Sequence, residues 1–323
     1  MSELRYRKDE RTGIATFEID TAGPVNTIGP TLISELGAAT QRAVRERAAG
    51  VLLVSAKPRS FLDGANLVEI RKNAPAFELE HLVRKLHDVF AALAKSPFPV
   101  AAALEDQTAL GGGCELLLWC CDHVFATEGS RIGLPEVNVG LFPAAGGMEA
   151  LRRLVGLEAM LEVVLRGRVF PAAELSPTGV VTVAPAGETR ARAVRWLLDH
   201  PGIVNRNHDL ARAPVDDAAR AEWPARIARA RARYGVCPEK PWFRAALDAL
   251  EEGLDRPFED AVRTFRGQRS LAGLGIPPAV LREPVFSILG AERTPGLASH
   301  SSCPEGSGKP RNGGTSSMNP KRR

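Results

Sequence analysis

Short apolar runs that alternate with amphipathic stretches constrain the fold of this 323-residue chain more than any other feature. Residues 50–55 and 99–104 are continuously apolar, which is typical of strands that are buried on both faces. Between them, residues 80–94 have the apolar spacing of a helix that packs one face on a core. The alternation extends to both sides, with strands predicted at 13–20 and 122–126 and helices at 31–47 and 113–121. This pattern predicts an α/β fold.

The character of the chain changes after about residue 185. Residues 188–235 are rich in alanine and arginine at helical spacing, and residues 241–272 continue with apolar residues at that spacing. Residues 294–323 consist mainly of Gly, Ser, Pro, Asn and Lys, so they cannot bury enough surface to offset their ordering entropy. We therefore predict a core at 1–187, an α-helical C-terminal region at 188–293 and a disordered basic tail at 294–323.

The formal net charge of +4 comes from that tail, in which five basic side chains accompany one acid. The rest of the chain is near neutral, so no nucleic-acid partner is predicted. Apolar runs fall short of the ~20 residues that a membrane span needs, and the amino-terminal segment lacks the apolar core of a signal peptide. The five cysteines match no metal-ligand spacing. We expect a cytoplasmic protein with reduced thiols, no metal site and no membrane span.

A glycine triplet is the first feature that indicates chemistry. A buried strand ends near Leu104 and a helix begins near Gly113, so the amides of residues 111–113 lie at a helix N-terminus. Unpaired N–H groups and the helix dipole favour negative charge there, and glycine lets a substrate approach the backbone closely. A plain loop between a strand and a helix is the alternative. A dinucleotide-binding fingerprint is excluded, because it would need glycine at Leu116.

Two glutamates accompany the triplet. Glu115 follows it at the start of an apolar helix, and Glu136 comes 136 − 115 = 21 positions later. A lone glutamate before an apolar run is more often a solvated residue of the first helical turn. Two carboxylates beside amides that glycine turns expose are, however, what acid/base chemistry next to an oxyanion hole requires. A second glycine turn at 143–147 and a segment at 60–67 accompany them.

These segments, in this order, resemble the crotonase (enoyl-CoA hydratase/isomerase) family over roughly residues 10–190. The resemblance implies a ββα spiral core that binds an acyl-CoA thioester. It assigns the backbone amides of Ala65 and Gly112 to the oxyanion hole that holds the thioester oxygen. It also implies that Glu115 orients and deprotonates a water, and that Glu136 protonates the α-carbon of an enoyl thioester.

The same resemblance places Gly64, Asn66 and Gly111 beside the substrate. Cationic side chains flank the first oxyanion loop and could meet the phosphates of coenzyme A, with a solvated charged rim as the equal alternative. These are Lys57, Arg59, Arg71 and Lys72. The acyl-CoA is the substrate, and no separate cofactor is predicted. The family implies a homo-oligomer based on a trimer, or a subunit of a β-oxidation complex.

The chain departs from the family pattern at three points. Asn66 stands where the family has aspartate, and we expect its side chain to cap the following helix all the same. Met148 stands where a hydroxyl side chain usually follows the second glycine turn. One additional residue lies between the two glutamates, and we expect a π-bulge or the end of the helix, within 116–121, to absorb it.

The reaction that the resemblance implies is hydration of a 2-enoyl-CoA to the 3-hydroxyacyl-CoA in fatty-acid β-oxidation. Within the family, residues 131–137 and 257–260 resemble the hydratase part of bacterial fatty-acid oxidation alpha subunits. The dehydrogenase domain of those subunits is not expected here, so no NAD chemistry is predicted. Two alternatives stay open. One is a Δ3,Δ2-enoyl-CoA isomerase, and the other is a non-catalytic crotonase-fold subunit whose helical half docks a partner.

Overall fold

Two β-sheets form the centre of the molecule. The computed structural model describes residues 2–66, 76–202, 217–234, 241–254 and 256–264. The larger sheet has six strands, here numbered in chain order: β1 (Leu4–Lys8), β2 (Ile14–Ile19), β3 (Gly50–Ser55), β5 (Val100–Leu104), β7 (His123–Ala126) and β10 (Val181–Val183). They neighbour one another in that order, and every pair is parallel except β1 with β2.

The smaller sheet contains the strands β4 (Ser60–Leu62), β6 (Thr108–Leu110), β8 (Arg131–Gly133) and β9 (Val169–Pro171). Strand β4 follows β3 in the chain, β6 follows β5, and β8 follows β7. The next described α-helix after each of these pairs is α2 (Ala76–Ala94), α3 (Gly112–Cys120) or α4 (Gly147–Val155), respectively. This repeat confirms the ββα spiral core that the resemblance implied.

The remaining described helices are α1 (Pro30–Arg45), α5 (Leu157–Arg166), α6 (Thr189–Asp199), α7 (Asp217–Tyr234), α8 (Pro241–Gly253) and α9 (Phe258–Thr264). Two 3-10 helices, Glu136–Val139 and Ala172–Thr178, connect elements of the core. Every regular element described beyond residue 188 is a helix, so the helical C-terminal region is confirmed.

The larger sheet is covered on both faces, as its continuously apolar strands predicted. All residues of β3 and β5 are buried. One face carries the main hydrophobic core, and the other packs Leu52 and Ala101 against Leu197 of α6. Helix α6 lies beyond the predicted boundary at residue 187, yet its packing makes it part of the sheet's core.

The strands of the smaller sheet were not predicted, and neither were β1 and β10. Five of these six strands have only three residues, too few for an alternation of apolar and polar residues to be visible. Their pairing comes from the tertiary fold and not from a local pattern. The predicted tail at 294–323 lies outside the described residues.

Candidate active site

The start of α3 forms one wall of the site. Gly111 has φ +53°, a left-handed value that glycine adopts freely, and it turns the chain from β6 into the helix. Gly113 lies so close to β4 that a Cβ there would overlap the carbonyl of Leu62. Gly112 is the first residue of the helix, so its N–H has no partner inside the helix. It also donates to no other group in the described part of the chain.

The loop after β4 forms the opposite wall. A parallel bridge pairs Ala65 with Ile28, in which Ile28 N donates to Gly64 O at 2.7 Å and Asn66 N donates to Ile28 O at 3.0 Å. In this pattern the N–H of Ala65 points away from Ile28, and it has no acceptor among the described residues. The two walls touch, since a Cβ at Gly64 would lie 3.6 Å from the amide nitrogen of Gly112. The N–H groups of Ala65 and Gly112, neither of which has an acceptor among the described residues, therefore lie on two walls that touch.

Asn26 holds this loop, and the sequence analysis missed it. Its side chain is fully buried and donates from Nδ2 to Ser55 Oγ at 2.8 Å and to Phe61 O at 3.0 Å. Its Oδ1 accepts a hydrogen bond from Thr21 N at 2.8 Å, and its backbone carbonyl accepts one from Asp63 N at 2.9 Å. The available signal was a polar residue just after a Gly-Pro break, which is also typical of an ordinary turn.

Glu115 lies in the first turn of α3, and its carboxyl is held by the second glycine turn. The residue is 2% exposed, and Oε1 accepts hydrogen bonds from Ala145 N at 2.8 Å and Gly147 N at 2.9 Å. Burial raises its pKa from 4.5 to about 7, while the two N–H donors oppose that change. The group can therefore exchange a proton near neutral pH.

The turn at 143–147 is shaped to receive that carboxyl. A Cβ at Gly147 would overlap Cγ of Glu115, and a Cβ at Gly146 would lie 2.8 Å from Cε3 of Trp119. Helix α4 has no side-chain cap at Gly146, and Glu115 supplies the missing acceptor at its N-terminus. No residue of this turn was predicted to belong to the site, although the turn positions Glu115.

Glu136 begins the 3-10 helix after Pro135. It is half-buried, but its Oε2 is enclosed and accepts no hydrogen bond from a described residue. Its Oε1 lies against the glycine triplet, 3.0 Å from where a Cβ at Gly111 would be. Burial, and then the charge of Glu115, raise the pKa of Glu136 well above its ordinary value. The protonated form of Glu136 is therefore favoured.

Both carboxyls border one pocket of about 130 Å³, together with Ala65 and Gly112. Most of the other side chains that line it are apolar: Ile28, Ile33, Leu82, Val83, Leu86, Leu110, Val139, Leu141 and Phe142. Such a lining excludes water and strengthens the electrostatic interactions inside. The pocket suits a ligand with an apolar chain beside a group that accepts hydrogen bonds.

Asp63 is a third acid in the wall of this pocket, and the sequence analysis did not single it out. It is 7% exposed, and neither carboxyl oxygen accepts a well-formed hydrogen bond from a described residue. Burial raises its pKa from 3.8 to about 6, against the opposing effect of the nearby Thr108 and Ser60 hydroxyls. These hydroxyls belong to the smaller sheet, so the acid faces that sheet.

The additional residue between the two glutamates leaves Glu115 in place. Helix α3 is continuous from Gly112 to Cys120, and Cys121 is already extended, with φ −94° and ψ 135°. No π-bulge therefore interrupts α3 within 116–120, and accommodation of the residue at the end of the helix stays a prediction. Both glutamates line the one pocket, as the resemblance implied.

The other predicted substrate contacts are placed as follows. Gly64 and Gly111 line the pocket, and Asn66 continues the loop beside it. Lys57 does not line it; its Nζ lies 2.9 Å from Oδ1 of Asp20. A contact between Lys57 and coenzyme A remains a prediction.

Arg71, Lys72 and the helix that Asn66 was expected to cap lie outside the described residues. Where the chain is described, no three His, Cys, Asp or Glu side chains gather so that they could hold a metal ion. No described helix has both the length and the apolar character that crossing a membrane requires.

Comparison with known families agrees with this architecture. A family model described as enoyl-CoA hydratase/isomerase matches residues 9–230. The chain belongs to this family, the crotonases.

Curated relatives include the fatty acid oxidation complex subunit alpha of Vibrio cholerae serotype O1. It is 31% identical over 260 residues, which cover 75% of this chain and 35% of the relative. The protein of the same name from Idiomarina loihiensis is 35% identical over 174 residues, which cover 53% of this chain and 24% of the relative. The chain thus spans about a third or less of the length of these relatives.

Solved structures share the fold. The enoyl-CoA hydratase from Mycobacterium smegmatis has a TM-score of 0.58 at 23% identity, covering 78% of this chain and 97% of that one. The enoyl-CoA hydratase from Bacillus anthracis has a TM-score of 0.55 at 22% identity, covering 84% of this chain and 91% of that one. At these identities the likeness establishes the crotonase fold alone.

Proposed function

We propose that this chain is an enoyl-CoA hydratase that adds water across a 2-enoyl-CoA to give a 3-hydroxyacyl-CoA. One observation carries the proposal: two carboxyls whose pKa values are raised by burial border the same apolar pocket as two unused backbone N–H groups. Membership of the enoyl-CoA hydratase/isomerase family supports this reading.

The two N–H groups, from Ala65 and Gly112, would receive the thioester oxygen. When water adds to the β-carbon, negative charge develops on that oxygen as the thioester becomes enolate-like. Preorganised donors stabilise such charge by roughly 2.7–4 kcal/mol each. Backbone donors in a water-poor pocket suit this task, because they need no reorganisation during the reaction.

The two carboxyls would divide the proton transfers. Glu115, whose carboxylate accepts two N–H bonds, takes a proton from water while the hydroxide adds to the β-carbon. Glu136, whose protonated form is favoured by burial and by the charge of Glu115, gives its proton to the α-carbon. One water is consumed and no redox step occurs, so the reaction requires no cofactor beyond the acyl-CoA substrate. Proton exchange with solvent then returns Glu115 to the carboxylate and Glu136 to the protonated acid.

The cellular setting is proposed from the relatives. Those named as fatty acid oxidation complex alpha subunits suggest a role in β-oxidation, with this chain as a complex subunit or a trimer-based homo-oligomer. A cytoplasmic location fits that role.

A substrate comparison tests the reaction. The purified chain is given 2-enoyl-CoA and 3-enoyl-CoA of equal chain length, and product formation is followed by chromatography. We expect the 2-enoyl substrate to be consumed faster, because hydration uses both carboxyls, one as base and one as acid, whereas double-bond migration can run with one. Faster consumption of the 3-enoyl substrate would assign the chain to the isomerases. Binding of acyl-CoA without turnover of either substrate would favour the non-catalytic subunit.

A further inference from the structure

Helix α9, near the end of the described chain, packs directly on the turn that holds Glu115. A Cβ at Gly146 would lie 3.3 Å from Cγ2 of Val262, on the same glycine that contacts Trp119. Ala144 and Ala145, in the same turn, line the pocket. The turn is therefore enclosed between the substrate pocket and the helical region.

Trp119 connects the helical region to α3. It lies four residues after Glu115, which is one helical turn, and its ring packs edge-on against Phe258 with ring centroids 5.5 Å apart. Phe258 and Val262 are 2% and 1% exposed. One small cluster of side chains thus contacts both the helix that carries Glu115 and the turn that binds its carboxyl.

Helix α9 is also attached to α4, which starts at that turn. The guanidinium of Arg153 lies 5.3 Å from the centre of the Phe258 ring and donates to Arg256 O at 3.2 Å. The same Arg153 donates to the buried carboxylate of Glu149 at 2.6 Å. Phe258 and Glu149 are both buried, and Arg153 contacts both of them. A shift of α9 would therefore disturb α4.

We propose that Phe258 and Val262 are positioning residues, which press the turn at 143–147 against α3 and so keep the amides of Ala145 and Gly147 aimed at Glu115. The helical region would then contribute to catalysis without touching the substrate. The expected effect of these positioning residues on the reaction rate rests on the proposed hydratase function. Displacement of a catalytic group by about 1 Å can cost as much as ~10²-fold in rate, so a small shift of the turn is enough to be measured.

The kinetic test compares Phe258→Ala with Phe243→Ala. Both remove a buried ring from the helical region, but the Phe243 ring packs on Tyr234 and Trp242, which also belong to that region. We expect Phe258→Ala to lower kcat for 2-enoyl-CoA hydration about tenfold, with KM changed by less than about twofold. Phe243→Ala should keep the parent kcat. Phe258→Met, which preserves most of the side-chain volume, should recover most of the loss.

A second readout needs no turnover. The carboxyl carbon of Glu115 is titrated by NMR in the Glu136→Gln background, so that the neighbouring carboxyl does not titrate with it. Its signal is assigned by its loss in Glu115→Gln. If the N–H groups of Ala145 and Gly147 are held less firmly, they stabilise the carboxylate less. Phe258→Ala should therefore raise the pKa of Glu115, whereas Phe243→Ala should leave it unchanged.

An unchanged or lowered Glu115 pKa in folded Phe258→Ala would overturn the proposal, as would an equal kcat loss in both alanine variants. If Phe258→Ala does not fold, Val262→Ala, which removes only two methyl groups, undergoes the same measurements against the same criteria. A parent chain that hydrates nothing, but whose Glu115 titration responds to these variants, would refute the hydratase function and leave the positioning role intact.

Discussion

Glu115 and Glu136 are the same side chain in different surroundings. Glu115 accepts two backbone N–H bonds, whereas Oε2 of Glu136 accepts none from the described residues. Burial raises both pKa values, and the charge on Glu115 adds to the effect on Glu136. The two groups therefore share protons as a coupled pair, in which Glu136 keeps its proton longer. In the proposed reaction, this difference suits Glu136 to act as the acid and Glu115 to act as the base.

A prediction about stability follows from the pKa of Glu115. Its value is raised from 4.5 to about 7, so the folded protein binds this proton more tightly than the unfolded chain does. The resulting stability is complete below pH 4.5 and is lost as the pH rises through about 7, a loss of about 3 kcal/mol. Glu115→Gln carries no charge at any pH. It should exceed the parent in stability at about pH 8, with a difference that shrinks toward about pH 4.

Urea unfolding at a series of pH values measures this difference. Glu128→Gln, at an exposed position, is the matched control and should follow the parent at every pH. A Glu115→Gln variant that is less stable than the parent at both ends of the series would contradict the prediction.

The two glutamates and the glycine triplet could be identified from the sequence because their residue types and order are visible there. Their surroundings could not. The donors to Glu115 come from residues 30 and 32 positions away, and the side chain of Asn26 binds partners up to 35 positions away. Such contacts exist only after the chain has folded, and no local pattern encodes them.

At the scale of elements, the decisive contact is between α3 and β4. The sequence predicted the helix, at 113–121, but not the three-residue strand that packs against it. Gly113 makes their close approach possible. The triplet therefore serves the packing of two elements as well as the chemistry of the site.

Substitution at that contact should be costly. A Cβ in Gly113→Ala would meet the backbone carbonyl of Leu62, which cannot rotate away, so α3 must shift. We expect a loss of about 3 kcal/mol in the free energy of unfolding, at the upper end of ordinary overpacking.

Denaturant midpoints of the variant and the parent check this value. Gly37→Ala in α1 is the control: its Cβ would lie 3.2 Å from Cγ2 of Val89, a side-chain atom that can adjust. Its stability should stay within about 1 kcal/mol of the parent. Equal stabilities for Gly113→Ala and the parent would show that α3 and β4 are not held this closely.

At the scale of the whole molecule, the helical region completes the core. Arg152 of α4 is buried, and its guanidinium lies 4.6 Å from the centre of the Trp223 ring in α7. Helical spacing in the sequence predicted these helices but not where they dock, since an arginine in α4 gives no local sign of its partner 71 positions later. The helical region, which comes after the core in the chain, thus packs against the helices that form the site.

The central claim is that Glu115 and Glu136 hydrate a 2-enoyl thioester together. The most direct measurement is the initial rate at which the chain removes the ultraviolet absorbance of the conjugated but-2-enoyl-CoA, compared with the rates of Glu115→Gln and Glu136→Gln. Both changes are nearly isosteric, so circular dichroism should match the parent. The account predicts hydration by the parent and a kcat at least ~10²-fold lower in each variant. Parent-like hydration in either folded variant would contradict it.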